Sequence, residues 1–192
     1  DNGLMVMGDA AFMNKPFNGE GVVSAFTGCR IAAEVAAEAL AKDDLSREAL
    51  WPYNLRYFRD QGAKFAFLLA VLPALVALSV EEIGYLFTVP GLLTAEGTQA
   101  LNLEYEVASD PSAALGVGLG IVRGVIRGKL GLGKLASIAR MGLGAGRLGG
   151  LYRRYPERPM DFGAWLRKVE PLWSVADGVK HDYMSRLVSQ WA

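Results

Sequence analysis

The chain has 192 residues with 20 Lys or Arg and 20 Asp or Glu, so it carries no net charge at pH 7 that would attract nucleic acid. Hydrophobic residues make up 52% of it, a high share that favours contact with an apolar ligand or a membrane. A single cysteine, Cys29, and a single histidine, His181, exclude an internal disulfide and a cysteine-cluster metal site, and we expect no metal.

The first predicted element is a short buried strand, roughly Leu4 to Met7, because this apolar stretch is followed at once by a glycine turn. A lone strand cannot satisfy its own backbone hydrogen bonds, so its ladder partners must come from elsewhere. The chain starts without a signal-peptide pattern. We therefore expect a cytoplasmic protein. Because the strand needs partners from elsewhere, we interpret the chain as the carboxyl-terminal piece of a longer one.

The segment GDAAFMNKPFNGEG, residues 8–21, joins this strand to a predicted helix. Its glycines put backbone amides at a helix amino terminus, where partial positive charge favours a phosphate or another delocalised anion. Asp9 is placed to accept hydrogen bonds from sugar-like hydroxyls. The alternative is a plain tight turn with an acidic helix cap. Because no Walker lysine motif occurs and no predicted strand leads into a G-x-G-x-x-G, we do not expect a complete nucleotide site in this chain.

The rest of the chain is predicted to be helical. The spacing of apolar residues predicts a helix that starts after Gly21 and ends near Lys42. A helical pattern then runs from Arg47 to about Val80, and its two prolines, Pro52 and Pro73, should bend or split it.

Two further helix starts carry local signals. The Ser-x-x-Glu sequence at Ser79 predicts a capping box, and Pro111 follows a cap at the first position of another helix. Past the YPERP break we expect two helices, near Asp161 to Val169 and Pro171 to Trp191. The tryptophans of this tail are interpreted as packing residues: Trp165, Trp173 and Trp191. His181 is interpreted as a solvated surface residue.

Two segments bear on lipid contact. Residues 65–80 include Ser79 as their only polar residue, and they are too few to span a bilayer comfortably. They favour a buried core helix, with a lipid-channel wall or an interfacial anchor as alternatives. Residues 116–155 hold 12 glycines and eight Lys or Arg without an acid. This composition is typical of a membrane-surface element or of closely packed helices, and less of nucleic-acid binding.

The stretch GDAAFMNKPFNGEGVVSAFTGCRIAAE, residues 8–34, resembles the second flavin-binding motif of the geranylgeranyl reductase family. These are FAD enzymes of the aromatic-hydroxylase-like flavoprotein group. The motif reads GDAA, a few residues, Pro, two residues, GEG and a helix ending in AAE, and it matches without a gap. The resemblance implies a mainly α chain, the helical carboxyl-terminal part of an α/β Rossmann-like FAD-binding protein. Residues 1–45 would then belong to the FAD-binding domain and residues 46–192 to a helical region.

The resemblance also implies residue roles. Gly8 would let the backbone approach FAD, Asp9 would bind a ribityl hydroxyl, and Pro16 would lie against the isoalloxazine ring. Three backbone amides would face the pyrimidine edge of the flavin: those of Gly19, Glu20 and Gly21. The other half of the site, a dinucleotide motif, would lie in a missing amino-terminal half.

Four positions add detail to the resemblance. Phe12 and Lys15 stand where the family more often has a small residue and a small polar residue. We interpret Lys15 as an exposed loop lysine, with anionic flavin as the alternative partner. Cys29 replaces a usual glycine and is interpreted as a buried packing residue. The acid at Glu20 makes the chain similar to the reductase and quinone-oxidoreductase branches of this flavoprotein group.

The resemblance implies hydride transfer from reduced flavin to a carbon–carbon double bond of an isoprenoid lipid, followed by protonation. One alternative is an electron-transferring flavoprotein that reduces quinone. The other is a lipid- or membrane-binding helical module without activity of its own. The apolar run and the basic segment fit a protein that meets its substrate at a membrane surface.

Overall fold

The computed structural model describes residues 2–16, 19–76, 78–89 and 111–173, and most of them are helical. The first three helices are α1 (Val22–Ala41), α2 (Arg47–Tyr57) and α3 (Ala63–Val76). They are followed by α4 (Val80–Phe87), α5 (Pro111–Ile126), α6 (Leu132–Arg153) and α7, residues 162–173. Short helical turns occupy Gly8–Ala11, Phe58–Gly62 and Pro159–Asp161. The prediction of a mainly helical chain is confirmed.

The predicted strand near Leu4 to Met7 is wrong for the described residues. Residues 4–7 belong to no regular element, although Met7 has extended backbone angles of φ −138° and ψ 169°. A strand needs a ladder partner, and no described residue supplies one. The segment is held by a helix instead, since the Tyr53 hydroxyl donates to the Val6 carbonyl oxygen at 2.6 Å.

The chain divides into two compact units. The first comprises Asp1–Ala70 and Gly144–Asp177, and the second comprises Val71–Leu143 and Gly178–Ala192. The boundary after residue 45 that the resemblance implies remains a prediction, because it concerns flavin binding rather than compactness.

The core of the first unit forms where α1 packs against α2. On α1, Ile31, Val35 and Ala39 recur at helical spacing and are buried. They meet Leu50 and Tyr53 of α2. Full burial of each large apolar side chain contributes roughly 1.5–3 kcal/mol to stability. Met13 of the loop before α1 packs in the same cluster, so the helix pair holds this loop in place.

An aromatic cluster connects α2 to the end of α6 and to α7. The Trp51 ring stacks on Tyr155 with centroids 5.6 Å apart, and its indole N–H donates to the Pro156 carbonyl oxygen at 2.8 Å. Trp165 packs edge-on against Tyr155 at 4.9 Å and is buried.

The prediction of Trp165 as a packing residue is therefore confirmed, and Trp173 lies half-buried 6.5 Å from Tyr152. Trp191 and His181 lie outside the described residues.

The prolines do not end their helices. Pro52 and Pro73 lie inside α2 and α3, each at the loss of one backbone hydrogen bond. The change of helical form between α2 and α3 comes instead at the π-helical turn Phe58–Gly62. The predicted break before Pro171 is also wrong, because α7 continues through that residue to 173. The rest of the predicted final helix lies outside the described residues.

In the second unit, α4 begins with the predicted capping box. The Ser79 hydroxyl accepts from the Glu82 amide at 3.2 Å, and the Glu82 carboxylate accepts from the Ser79 amide at 2.8 Å. The Tyr85 hydroxyl of α4 donates to the Gly120 carbonyl oxygen of α5 at 2.7 Å. A Cβ atom at Gly124 would overlap the Tyr85 ring. Part of the glycine-rich segment therefore serves close helix packing.

The apolar run of residues 65–80 contains both buried and exposed side chains. Ala66, Leu68 and Ala70 of α3 are buried, whereas Leu69 and Val76 are exposed. The described part of this run therefore fits a core helix with one open side. Within the described ranges, no helix combines the length and the apolar content that crossing a bilayer requires.

Candidate functional site

Residues 8–21, which we call the motif loop, lead from the extended segment into α1. Gly8 and Gly19 have φ angles of +65° and +74°, in the left-handed region that glycine adopts without strain. No atom of the described residues lies within 4 Å of the positions that their Cβ atoms would take. The backbone at both glycines is therefore open to the approach of a ligand.

The fold brings together the two ends of the motif loop at Gly21. A Cβ atom on Gly21 would overlap the Asn14 amide oxygen and lie 3.2 Å from the Asp9 carboxylate. A larger residue at this position would displace the exposed Asn14 side chain, so glycine lets Asp9 and Asn14 both approach the start of α1. The Asp9 side chain is exposed.

The amino terminus of α1 carries no side-chain cap. Gly21 is its N-cap residue, and the first turn has no acidic residue. Among the described residues, no hydrogen bond from an α1 amide to Asp9 is formed, so the alternative of an acidic helix cap is not realised. Backbone amides and the positive end of the helix dipole remain available to an anion.

Lys15 is buried, with 7% of its surface exposed, which corrects the expectation of an exposed loop lysine. Its ammonium group lies 2.7 Å from the Glu20 carboxylate. The Lys15 amide also donates to the Glu20 carbonyl oxygen at 2.9 Å, and the Gly19 amide donates to the Lys15 carbonyl oxygen at 2.9 Å. A partner five residues along the chain lets the lysine stem be buried, and these contacts close the loop around Pro16.

Cys29 is exposed, which corrects its interpretation as a buried packing residue. The neighbouring Gly28 takes the inward position on α1, where a Cβ atom would lie 2.7 Å from the Met13 sulfur. Because adjacent helical positions differ by about 100° in direction, Cys29 points elsewhere. It lies on an outer face with the exposed Val22 and Phe26.

A cavity of about 390 Å³ opens beside the motif loop. The loop contributes Phe12, Asn14, Lys15 and Pro16 to its walls. The opposite wall is apolar and comes from α3, α6 and α7, with Phe65, Ala66, Leu69, Tyr152 and Trp173 among its residues. The ring of Phe12 is 89% exposed and its backbone is left-handed, with φ 53°. The residue types around this cavity suit an apolar ligand next to a polar loop.

A second cavity of about 630 Å³ lies along the extended segment and has mainly aromatic and aliphatic walls. Tyr53 lines it, and burial raises the pKa of its hydroxyl to about 12. This hydroxyl therefore stays protonated at neutral pH and acts as the donor to Val6.

One G-x-G-x-x-G pattern does occur in the chain, from Gly144 to Gly149, but it lies inside α6. A dinucleotide fingerprint requires these glycines in a turn between a strand and a helix. We therefore assign this pattern to helix packing. At Gly149, for example, a Cβ atom would lie 3.3 Å from the Ala63 carbonyl oxygen of α3, so glycine allows the two helices to approach closely.

Comparison with known proteins gives a consistent set of relatives, although no protein-family model matches the chain. The digeranylgeranylglycerophospholipid reductase of Sulfolobus acidocaldarius is 28% identical over 172 residues, which cover 88% of this chain and 36% of that protein. Digeranylgeranylglycerophospholipid reductase 1 of Methanococcoides burtonii is 42% identical over 82 residues, 43% of this chain and 20% of that protein. The reductase of the same name from Methanoculleus marisnigri is 45% identical over 56 residues, 29% of this chain and 14% of that protein.

The chain is a homologue of the digeranylgeranylglycerophospholipid reductases. The resemblance to the geranylgeranyl reductase family, first drawn from residues 8–34, is confirmed by these relatives. The chain spans about a third of the length of the Sulfolobus reductase and a smaller share of the other two.

Sequence reasoning missed two residues that shape this geranylgeranyl reductase-like loop. Met13 is buried, and its sulfur accepts a hydrogen bond from the Gly8 amide at 3.3 Å. Ser24 is fully buried and bonds to Met13. Their signal in the sequence was weak: an apolar residue inside a polar loop, and a small polar residue one turn into an apolar helix.

Proposed function

We propose that this chain is the carboxyl-terminal part of an FAD-dependent reductase that saturates carbon–carbon double bonds of isoprenoid lipids. The observation that carries the proposal is the apolar cavity beside the motif loop, together with the start of α1, which follows the loop and has no side-chain cap. The names of the relatives, which are reductases of a geranylgeranyl lipid, support the same reaction class.

The residues of the motif loop fit FAD. The exposed Asp9 carboxylate can accept hydrogen bonds from ribityl hydroxyls, and Gly8 leaves space for the backbone to approach. The α1 amides near Gly21 favour negative charge at the flavin ring. FAD, when bound, supplies the hydride for reduction. Pro16 is half-buried on the cavity wall, which suits the proposed contact with a flat ring.

The ion pair of Lys15 with Glu20 gives the loop its shape in this proposal. Because Lys15 is buried on the cavity side and Glu20 is 64% exposed, the pair links the cavity wall to the outer edge of the loop. Its role is to hold Pro16 and Gly19 in position rather than to exchange protons.

The apolar wall of the cavity would hold the isoprenoid chain and exclude water. Phe65 and Leu69 on α3 and Trp173 on α7 provide this surface. Each buried methylene group contributes about 0.8 kcal/mol to binding, so a few contacts suffice to orient a prenyl chain. An electron-transferring flavoprotein that reduces quinone would use the same loop and differs in its substrate.

The test uses the full-length protein that contains this chain, its Asp9→Asn variant and an Asp43→Asn control. Asp43 is another exposed aspartate, and its left-handed backbone, with φ 51°, tolerates asparagine. We expect the wild-type protein to purify yellow and Asp9→Asn to bind FAD at least about tenfold more weakly. The control should bind normally. A colourless wild-type protein that takes up no FAD would reject the proposal.

Substrate assays separate the two flavoprotein functions. Saturation of a geranylgeranyl lipid is followed by the mass gain of two hydrogens per double bond. Reduction of a soluble quinone without any gain in lipid mass would instead favour the quinone oxidoreductase. Lipid binding by a protein that needs no flavin would favour the binding module.

A further inference from the structure

A cationic groove of about 540 Å³ lies between the end of α6 and α7 in the first unit. Arg147, Arg154 and Lys168 line it, and all three side chains are exposed. Leu151 and Leu172 form an apolar floor between them. The groove therefore combines positive charge with hydrocarbon surface.

The helical repeat explains how these residues meet. Arg147, Leu151 and Arg154 follow one another at intervals of four and three residues and so share one face of α6 and its end. Lys168 and Leu172 share a face of α7 in the same way. The Trp165 indole donates to the Leu151 carbonyl oxygen at 2.9 Å, which fixes the two helical segments against each other.

No carboxylate is found among the groove-lining residues that the structure describes. Glu157 pairs with Arg59 at 3.3 Å and Asp161 pairs with Arg158 at 3.0 Å, and the exposed Glu170 of α7 is not one of the residues that line the groove. Three cations that share one groove repel each other, and an anionic ligand relieves this repulsion. Arginine is suited to the task because its guanidinium group can bind phosphate oxygens in pairs.

We propose that Arg147, Arg154 and Lys168 form a binding site for the phosphate group of a lipid, with the adjoining hydrocarbon lying on Leu151 and Leu172. The apolar floor favours a lipid phosphate over a soluble one. The site is independent of the flavin-binding loop, and it extends the proposed function by giving the protein a contact with an anionic membrane surface.

The test is sedimentation of the full-length protein with phosphatidylcholine vesicles, with and without phosphatidylglycerol as about one-fifth of the lipid. The groove variant is R147Q/R154Q/K168Q. The control K42Q/R47Q/R56Q removes the same charge from exposed positions of the first unit that lie outside the basic segment of residues 116–155. We expect the wild-type protein and the control to bind the anionic vesicles, and the groove variant to bind roughly a hundredfold more weakly, from the attraction of three basic side chains to an anionic surface.

Calorimetry with glycerol 3-phosphate distinguishes the source of the phosphate. Vesicle binding without measurable binding of glycerol 3-phosphate supports a lipid phosphate held at a surface. Tight binding of glycerol 3-phosphate with no vesicle binding would overturn the lipid part of the proposal. Equal loss of vesicle binding in the groove variant and the control would overturn the site itself, because general charge would then explain the attraction.

Flavin absorbance and thermal unfolding are measured on the same samples. The three side chains are exposed, so the groove variant should keep its fold and its FAD. A wild-type protein without FAD that still binds anionic vesicles through the groove would reject the proposed reductase function and leave the phosphate site standing.

Discussion

The Ser24 hydroxyl donates a hydrogen bond to the Met13 carbonyl oxygen at 2.5 Å, across 11 residues of sequence. Ser24 is 0% exposed in the first turn of α1, and Met13 is buried in the middle of the motif loop. The Gly8 amide donates to the Met13 sulfur at 3.3 Å. Met13 therefore connects the start of the loop, where Asp9 follows Gly8, to the helix at its end.

Replacing Ser24 with alanine removes a donor from a buried carbonyl oxygen. We expect Ser24→Ala to lower the free energy of unfolding by about 1–3 kcal/mol. A Thr27→Ala control should change it by no more than about 0.5 kcal/mol, because that hydroxyl is exposed and bonds to the Val23 carbonyl oxygen in its own helix. Urea denaturation measures both changes. Equal values for the two variants would contradict the role assigned to the Met13 contact.

Glycine substitutions on two helices should have opposite effects. A Cβ atom at Gly28 would lie 2.7 Å from the Met13 sulfur, so Gly28→Ala should destabilise the protein by about 1–3 kcal/mol through overpacking. No atom in the described part of the chain lies within 4 Å of the corresponding position at Gly146 of α6. Gly146→Ala should therefore stabilise the protein by about 0.5–1 kcal/mol through helix propensity. Thermal unfolding tests the pair, and a stabilising Gly28→Ala would show that α1 does not pack against Met13.

The buried Tyr53 hydroxyl predicts a loss of stability at high pH. Burial raises its pKa to about 12 from an ordinary value of 10.0. Between these values the unfolded chain loses the proton and the folded chain keeps it, so the free energy of unfolding falls as pH rises from 10 to 12. Tyr53→Phe should weaken this dependence, although Tyr155, whose pKa burial also raises, retains part of it.

At neutral pH, Tyr53→Phe should cost about 1 kcal/mol through the lost bond to Val6. Urea denaturation at pH values from 7 to 12 measures both effects. An unchanged slope in the alkaline range would rule out Tyr53 as a contributor.

Replacing Phe12 should separate an effect on substrate binding from an effect on stability. Its left-handed backbone costs roughly 1–2 kcal/mol, and glycine removes this strain while it adds about 0.5–1 kcal/mol of chain entropy in the unfolded state. Because the ring is 89% exposed, little burial is lost. We expect Phe12→Gly to unfold at an equal or higher urea concentration.

In the full-length protein, the same variant should raise the KM for the proposed lipid substrate severalfold, because Phe12 lines the cavity beside the motif loop. Phe12→Leu keeps an apolar side chain and the strained backbone, and it should retain more of the lipid affinity. Steady-state assays with a geranylgeranyl lipid measure this, and an unchanged KM for Phe12→Gly would exclude the ring from the substrate path.

Local patterns in the sequence were sufficient for much of the helical structure. The start of α1 after Gly21, the capping box at Ser79 and the start of α5 at Pro111 all depend on residues within one turn of each other. The motif of residues 8–34 was likewise local, and it led to the family that the relatives confirm. Short-range interactions of this kind can be read from neighbouring residues alone.

Contacts between residues distant in sequence decided the rest. The extended segment near Val6 has no neighbouring strand in the described part of the chain, and Tyr53, 47 residues away, holds it instead. Lys15 is buried where the motif loop faces α3, α6 and α7 across a cavity, and Cys29 is exposed because Gly28 faces Met13. Burial depends on which surfaces meet in three dimensions, and periodicity along one element does not specify its partners.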